Sequence, residues 1–215
     1  MGLRETKKLR TRQEIADRAM ELFALRGFDR VTVAEVAAAA GVSEKTVFNY
    51  FPTKEDLFYD EVPAREAALV EAVRSRGPGV SIIEALRRLQ AAECPRLSSP
   101  AFATFARIIE ESPALQAKEL QIMARYSAAL ATAIAGELGV DERDARIAAG
   151  VLVSAHWHHF RNARAQALKG RHGSAAARRL RGDLERAYAL LEHGLGEFER
   201  AHADTTADAG ATHRP

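Results

Sequence analysis

Residues 32–57 read TVAEVAAAAGVSEKTVFNYFPTKEDL, and their punctuation sets the architecture around them. Thr32 and Glu35 have the Thr-x-x-Glu spacing of a capping box, in which the hydroxyl accepts from an amide three residues on while the carboxylate reaches back. A short helix is therefore predicted from there to about Ala40. Gly41 falls where the chain must leave a helix in a left-handed conformation, and Ser43 is placed to cap the next one, which carries Lys45, Thr46, Phe48, Asn49 and Tyr50. Pro52 stops that helix, and Thr53 with Asp56 opens a fourth. Upstream, Ile15, Ala19, Leu22 and Phe23 recur at helical spacing, so a first helix is predicted from about Lys8 to Leu25, ended by Gly27.

Two short helices joined by a glycine-containing turn, behind a longer scaffold helix, make the helix-turn-helix arrangement whose second helix enters the DNA major groove. A plain helical hairpin has the same outline. The distinguishing feature is that Ser43, Lys45, Thr46, Asn49 and Tyr50 give the third helix a dense set of donors and acceptors where a core helix is aliphatic. Val47 is expected to face inward with Val36 and Ala39.

The composition fits such a domain within a larger globular chain. The 215 residues are 47% apolar and 28% charged, ordinary values for a folded protein. The longest uncharged stretch, Ile147 to Phe160, has 14 residues and three histidines, too short and polar to cross a bilayer. No apolar run follows the basic N-terminus, so a secretory leader is not expected and a cytoplasmic location is. Cys94 is the single cysteine; it is expected to be buried and inert. The net charge of +2 hides a concentration: Met1 to Arg12 holds five basic residues and one acid, whereas Gln13 to Asp60 holds five basic residues and nine acids. A basic N-terminal arm that tracks a phosphate backbone is expected.

The runs Thr32 to Ala37, Ala40 to Ser43 and Thr46 to Leu57 closely resemble the DNA-binding domain of the tetracycline-repressor (TetR) family of bacterial regulators. The resemblance covers about residues 8–60. It implies an all-α homodimer that binds a palindromic operator and is released when a small molecule enters the C-terminal domain. It also implies phosphate or base contacts from Thr32, Ser43, Lys45, Thr46, Phe48, Asn49, Tyr50 and Lys54. Phe48 stands where that family often has tyrosine, and Asn49 where it often has histidine. Without a hydroxyl, Phe48 is left with an apolar contact, such as a thymine methyl.

Elementary chemistry divides these residues. Thr32, Tyr50 and Lys54 lie at or near helix ends, where hydroxyl, ammonium and free amides fix register on phosphates. Lys45 and Asn49 are one turn apart and can reach base edges, the lysine toward guanine and the asparagine toward adenine. Glu44, Glu55 and Asp56 favour the positive ends of helix dipoles and weaken nonspecific phosphate binding.

Beyond Asp60 the chain continues as helices broken at Gly77-Pro78-Gly79, Pro95 to Pro100, Pro113, Gly139 and Gly170 to Gly173. The predicted organisation is a helix-turn-helix domain with its arm (1–60), a larger helical bundle for effector binding and dimerisation (61–201), and a small, polar, disordered tail (202–215). The helix from about Asp141 to Lys169 is apolar on nearly every side from Ile147 to Ala155. The last helix carries a stripe of Leu180, Leu184, Ala187, Leu191, Leu195 and Phe198, widened by Tyr188 and Leu190. A helix apolar all round needs partners on two sides, which suits a paired-helix dimer seam. Phe102, Phe105, Ile109, Met123, Tyr126, Trp157 and Phe160 are large residues suited to the walls of a mainly apolar effector pocket. His156, His158 and His159 cluster on one helix, but no cysteine or carboxylate at ligand spacing accompanies them, so no metal or cofactor is expected. A hydrogen-bonding or pH-sensing histidine in the pocket or seam is the alternative. No phosphate loop, nucleophile elbow or acid/base pair is present, so an enzyme is not expected. The function expected is operator binding by a repressor, with an activator or a helical interaction module as the other possibilities.

Overall fold

A computed structural model describes residues 2–211, with the side chains of Leu3, Arg4 and 195–211 outside the description. Among the described residues the chain forms helices and no strand. The first four are α1 (Leu3–Arg26), α2 (Val33–Ala39), α3 (Glu44–Tyr50) and α4 (Lys54–Phe58). Their ends follow local chemistry. The hydroxyls of Thr32, Ser43 and Thr53 accept from the amides of Glu35, Thr46 and Asp56. Gly27 and Gly41 take positive φ, at +82° and +66°; Gly27, with ψ at 152°, lies in a region essentially confined to glycine. Ile15, Ala19 and Phe23 of α1 pack with Phe28, Val36, Ala37, Val47, Phe51 and Leu57 in one core.

Two expectations are corrected here. Ala39 is exposed and Ala37 is buried in its place, because helical rotation puts Val33, Val36, Ala37 and Ala40 on the face turned to the core. The basic N-terminal segment is the start of α1 and not a separate arm: the helix begins at Leu3, and the Gly2 amide donates to the Glu5 carboxylate at 3.2 Å. Arg12 turns inward, its guanidinium 4.7 Å from the centre of the Phe51 ring and donating to the Asp60 carbonyl at 2.7 Å.

The remaining helices build the larger body: α5 (Val62–Arg74), α6 (Ile82–Leu97), α7 (Pro100–Glu110), α8 (Pro113–Leu138), α9 (Glu142–Leu168) and α10 (Ser174–Ala211). α8 packs on α9 and α5, α10 on α6 and α9, and α7 on α9. α6 runs through Pro95, where a break is predicted. Proline has no N–H to donate to the Ala91 carbonyl, and Arg181 of α10 donates to that carbonyl instead at 3.1 Å. α10 has non-helical backbone at Gly194, then resumes and includes 202–211, where an unstructured tail is expected; 212–215 lie outside the described residues.

The two parts are braced. Phe58 of α4 stacks on Phe105 of α7 with ring centres 4.4 Å apart. Lys118 of α8 pairs with Asp56 at 2.9 Å, and Ser112 donates to Asp29 at 2.7 Å. The Tyr59 hydroxyl donates to the Leu115 carbonyl at 3.2 Å. These contacts tie α4 and the turns that follow α1 and α4 to α7 and α8.

Candidate nucleic-acid interface and effector cavity

α3 presents its polar side outward. Val47 is the buried residue of the helix, Thr46 and Tyr50 are half-buried, and Ser43, Lys45, Phe48 and Asn49 are exposed. Among the described residues Lys45 and Asn49 have no hydrogen-bond or ion-pair partner, so both heads are available to base edges. Phe48 is 47% exposed, a free ring for apolar contact. The hydroxyls are already engaged. Thr32 donates to the Glu35 carboxylate at 2.9 Å, and the Ser43 and Thr46 hydroxyls share one hydrogen bond at 2.9 Å. Whichever of these two hydroxyls donates in that bond, the other keeps its hydrogen for a phosphate. Glu35 also holds Arg26 at 2.8 Å, and its hydrogen bonds to Thr32, followed by that to Arg26, bring its carboxyl down to about 2.

Lys54 departs from the simple picture of a solvated phosphate contact. It is half-buried, with its ammonium 4.2 Å from the centre of the Phe28 ring. Desolvation lowers its pKa against the pull of Asp29, Glu55 and Glu35.

A cavity of about 330 Å³ lies between these helices and the body. Five of the predicted effector residues, Phe102, Phe105, Tyr126, Trp157 and Phe160, line it. Ile109 does not, being fully buried in the core, and Met123 lines a separate groove between α9 and α10. Residues not singled out from the sequence complete the walls: Ala16, Asp17 and Met20 of α1, Phe58 and Tyr59 at the end of α4, and Gln90; His156 and His159 of the histidine cluster line it too. The exposed members Gln13, Asp17, Glu61 and Arg96 mark its mouth, between α1, the start of α5 and the end of α6.

The polar groups of the cavity are arranged unequally. At the mouth, Arg65 holds Glu61 at 2.7 Å and Glu93 at 3.1 Å, and Arg96 holds Glu93 at 2.8 Å. Inside, Gln90 Oε1, His156 Nδ1 and His159 Nδ1 have no hydrogen-bond partner. Burial brings both histidines down to about 4; neighbouring His159 adds to the effect at His156, and nearby Asp183 opposes it at His159. Both rings are therefore neutral at pH 7. No group of three metal-ligating side chains is found among the described residues.

The groove of Met123 is lined by Ile147, Gly150, Val151, Ser154 and His158 of α9 and by Ala187, Leu190 and Leu191 of α10. Ile147 is 62% exposed and Val151 48% exposed. Leu180, Leu184 and Tyr188 of the predicted stripe are instead buried within the chain; the side chains of Leu195 and Phe198 lie outside the described residues.

An outward-facing polar helix, set by a tight turn against two bracing helices, defines a helix-turn-helix DNA-binding protein. The family model for bacterial regulatory proteins of the tetR family matches residues 15–60. The HTH-type transcriptional regulator TcmR of Streptomyces glaucescens is 30% identical over 151 residues, 66% of this chain and 67% of that one. The chain belongs to the TetR family of DNA-binding transcriptional regulators. LuxR of Vibrio harveyi, another HTH-type transcriptional regulator, is 52% identical over 54 residues, 25% of this chain and 26% of its own. Among solved structures, Thermus thermophilus FadR, a TetR-family repressor in complex with lauroyl-CoA, is 28% identical with a TM-score of 0.51, covering 84% of this chain and 92% of that one. No helix among the described residues is long and apolar enough to cross a membrane.

Proposed function

We propose that the chain is a repressor that binds a palindromic operator as a homodimer and releases it when a small molecule fills the cavity. Residues 1–60 form the DNA-reading unit and 61–201 the effector and dimer unit, acting in the cytoplasm where the operator is. Lys45 and Asn49 read bases, and Phe48 packs on a thymine methyl. Thr32, Ser43, Thr46, Tyr50 and Lys54 fix the register on phosphates. The single observation that carries the ligand-release reading is the position of the cavity: Met20 of α1 and Phe58 of α4 share its wall with Phe105 and Phe160 of the body. A ligand wedged there acts on the brace between the two parts, and so on the spacing of the two reading helices in a dimer. The apolar face of Ile147, Val151 and Leu190 supports the twofold partner.

Selection of random duplexes by the full chain tests this reading. The expected product is an inverted repeat with half-sites one duplex turn apart, about 34–36 Å, or slightly more. Enrichment of a lone asymmetric half-site, or of nothing, overturns it.

A further inference from the structure

We propose that the effector is an uncharged, flat aromatic molecule with hydroxyl or carbonyl groups on its inner edge, selected by Gln90, His156 and His159. This rests on the reading of the cavity as the effector site and adds the chemistry that the site selects.

The inner polar groups carry the inference. Buried polar atoms in folded proteins almost always have partners, yet three around this cavity have none: Gln90 Oε1, His156 Nδ1 and His159 Nδ1. Gln90 and His159 are each only 3% exposed. In Gln90 and His159 the other polar atom is occupied. The Gln90 amide nitrogen donates to the Tyr188 hydroxyl, and His159 Nε2 faces the Cys94 thiol at 3.9 Å. Turning the amide over exchanges which of its atoms is unpartnered without removing the vacancy. The floor thus offers an amide and two neutral imidazoles, which can both accept from a hydroxyl and donate to a carbonyl.

The walls specify a ring. Phe58 and Phe105 are stacked at 15°, whereas Phe160 stands nearly edge-on to Phe102 and Phe105, at 78° and 84°. These rings pack largely on one another, Phe105 being stacked on Phe102 as well as on Phe58, and give the cavity an aromatic wall that favours an aromatic ligand. A cavity of about 330 Å³ lies near the lower end of the range of small-molecule sites, which suits a compact molecule of two or three rings.

The mouth argues against an anion. Arg65 and Arg96 are held by Glu61 and Glu93, while Arg12 lies 3.8 Å from Asp60. Asp17 adds a further exposed carboxylate. A carboxylate or a phosphate-bearing thioester needs cationic donors, and those near this cavity already have acidic partners. The chemistry therefore differs from that of the lauroyl-CoA bound to the Thermus thermophilus relative.

Trp157 is the only tryptophan and lines both the cavity and the groove between α9 and α10, so its fluorescence follows binding in the cavity when the protein concentration, and with it the oligomeric state, is held fixed. The full chain is titrated with 5,7-dihydroxyflavone, flavone, laurate and lauroyl-CoA, and operator release is measured alongside. The dihydroxyflavone is expected to bind about tenfold or more tightly than flavone, with neither acyl compound competing. In Gln90→Leu and His156→Phe the preference for the hydroxylated ring is expected to shrink below about threefold. Should either variant fail to fold, the wild-type ratio alone remains decisive. Equal affinity for the two flavones, tighter binding of an acyl compound, or no binding by any of the four overturns the proposal. Operator release by an acyl compound or by flavone without that preference leaves the effector reading standing and removes only the selection by the polar floor. Binding of the dihydroxyflavone with the preference but without release supports the site chemistry and overturns the effector reading.

Discussion

Lys45 and Lys54 carry the same charge into different surroundings, and the surroundings predict different losses. Lys45 is exposed and touches nothing among the described residues, so Lys45→Ala leaves stability unchanged and removes only what the ammonium does on DNA. The expected result is a loss of about 1–3 kcal/mol at one base step, seen as relaxed preference in competition between operator variants. Lys54 lies over Phe28, a contact worth about 0.5–1 kcal/mol. Lys54→Ala is therefore expected to weaken every duplex alike, to reduce the slope of log K against log salt by about 0.9, and to lower the unfolding free energy slightly. An unchanged salt slope in equilibrium titrations would remove Lys54 from the phosphate contacts. The exposed, polar side of α3 was legible in the sequence because it is a property of seven consecutive residues. The seat of Lys54 was not, since Phe28 belongs to the loop after α1 and meets it only once the helices pack.

The helix ends were legible for a related reason: a cap joins residues three apart, so its chemistry is complete within one short word of sequence. Thr53 accepts from the Asp56 amide and Asp56 returns the contact at 3.0 Å. Thr53→Ala is expected to cost about 1 kcal/mol in urea unfolding, with α4 fraying first in hydrogen exchange. Gly41 is the companion case. A Cβ there meets nothing within 4 Å, so Gly41→Ala pays only for the left-handed backbone at +66°, about 1 kcal/mol. Elements defined by distant partners were read less well. α6 passes through Pro95 because Arg181, far along the chain, supplies the missing donor. The cavity residues split on the same ground. Size and aromaticity marked Phe102, Phe105, Tyr126, Trp157 and Phe160, but α7 buries Ile109 beneath them and α8 turns Met123 toward the groove. Gln90 shares its helix face with Leu86, Cys94 and Leu97, and a polar residue on an otherwise apolar stripe is a signal that the sequence does carry.

For the whole molecule the question is what the exposed apolar face does and how the buried histidines respond to acid. Ile147 and Val151 contribute little to the chain's own core, so Val151→Glu is expected to leave the melting temperature close to wild type. It should nevertheless give a monomer by light scattering and reduce operator affinity by orders of magnitude, because a monomer engages one half-site at a time. A dimer that survived this change would place the seam elsewhere. Acid acts on the other side of α9. His156 and His159 have folded pKa values of about 4, below the unfolded 6.5, so the unfolded state binds more protons between those limits. Their stabilisation is complete above about pH 6.5 and is lost as pH falls toward 4. Two such groups give a slope of up to about 2.7 kcal/mol per pH unit within the window. Asp60 and Glu119, whose carboxyls are raised by burial, act in the opposite sense and favour the folded state as pH falls. These two reduce the histidine slope, whereas Glu35 and Glu84, both held down to about 2, add to it at the acid edge. Asp56 and Glu93 are lowered, so their losses come near and below the ordinary carboxylate range, at the acid edge of the window. Urea unfolding between pH 4 and 7 separates these contributions: His159→Gln, which keeps a hydrogen-bonding side chain but cannot titrate, is expected to remove about half of the histidine slope while leaving the fall below pH 4 in place. A slope identical to that of the wild type would mean that His159 is protonated alike in both states, and its place in the neutral floor of the cavity would be lost with it.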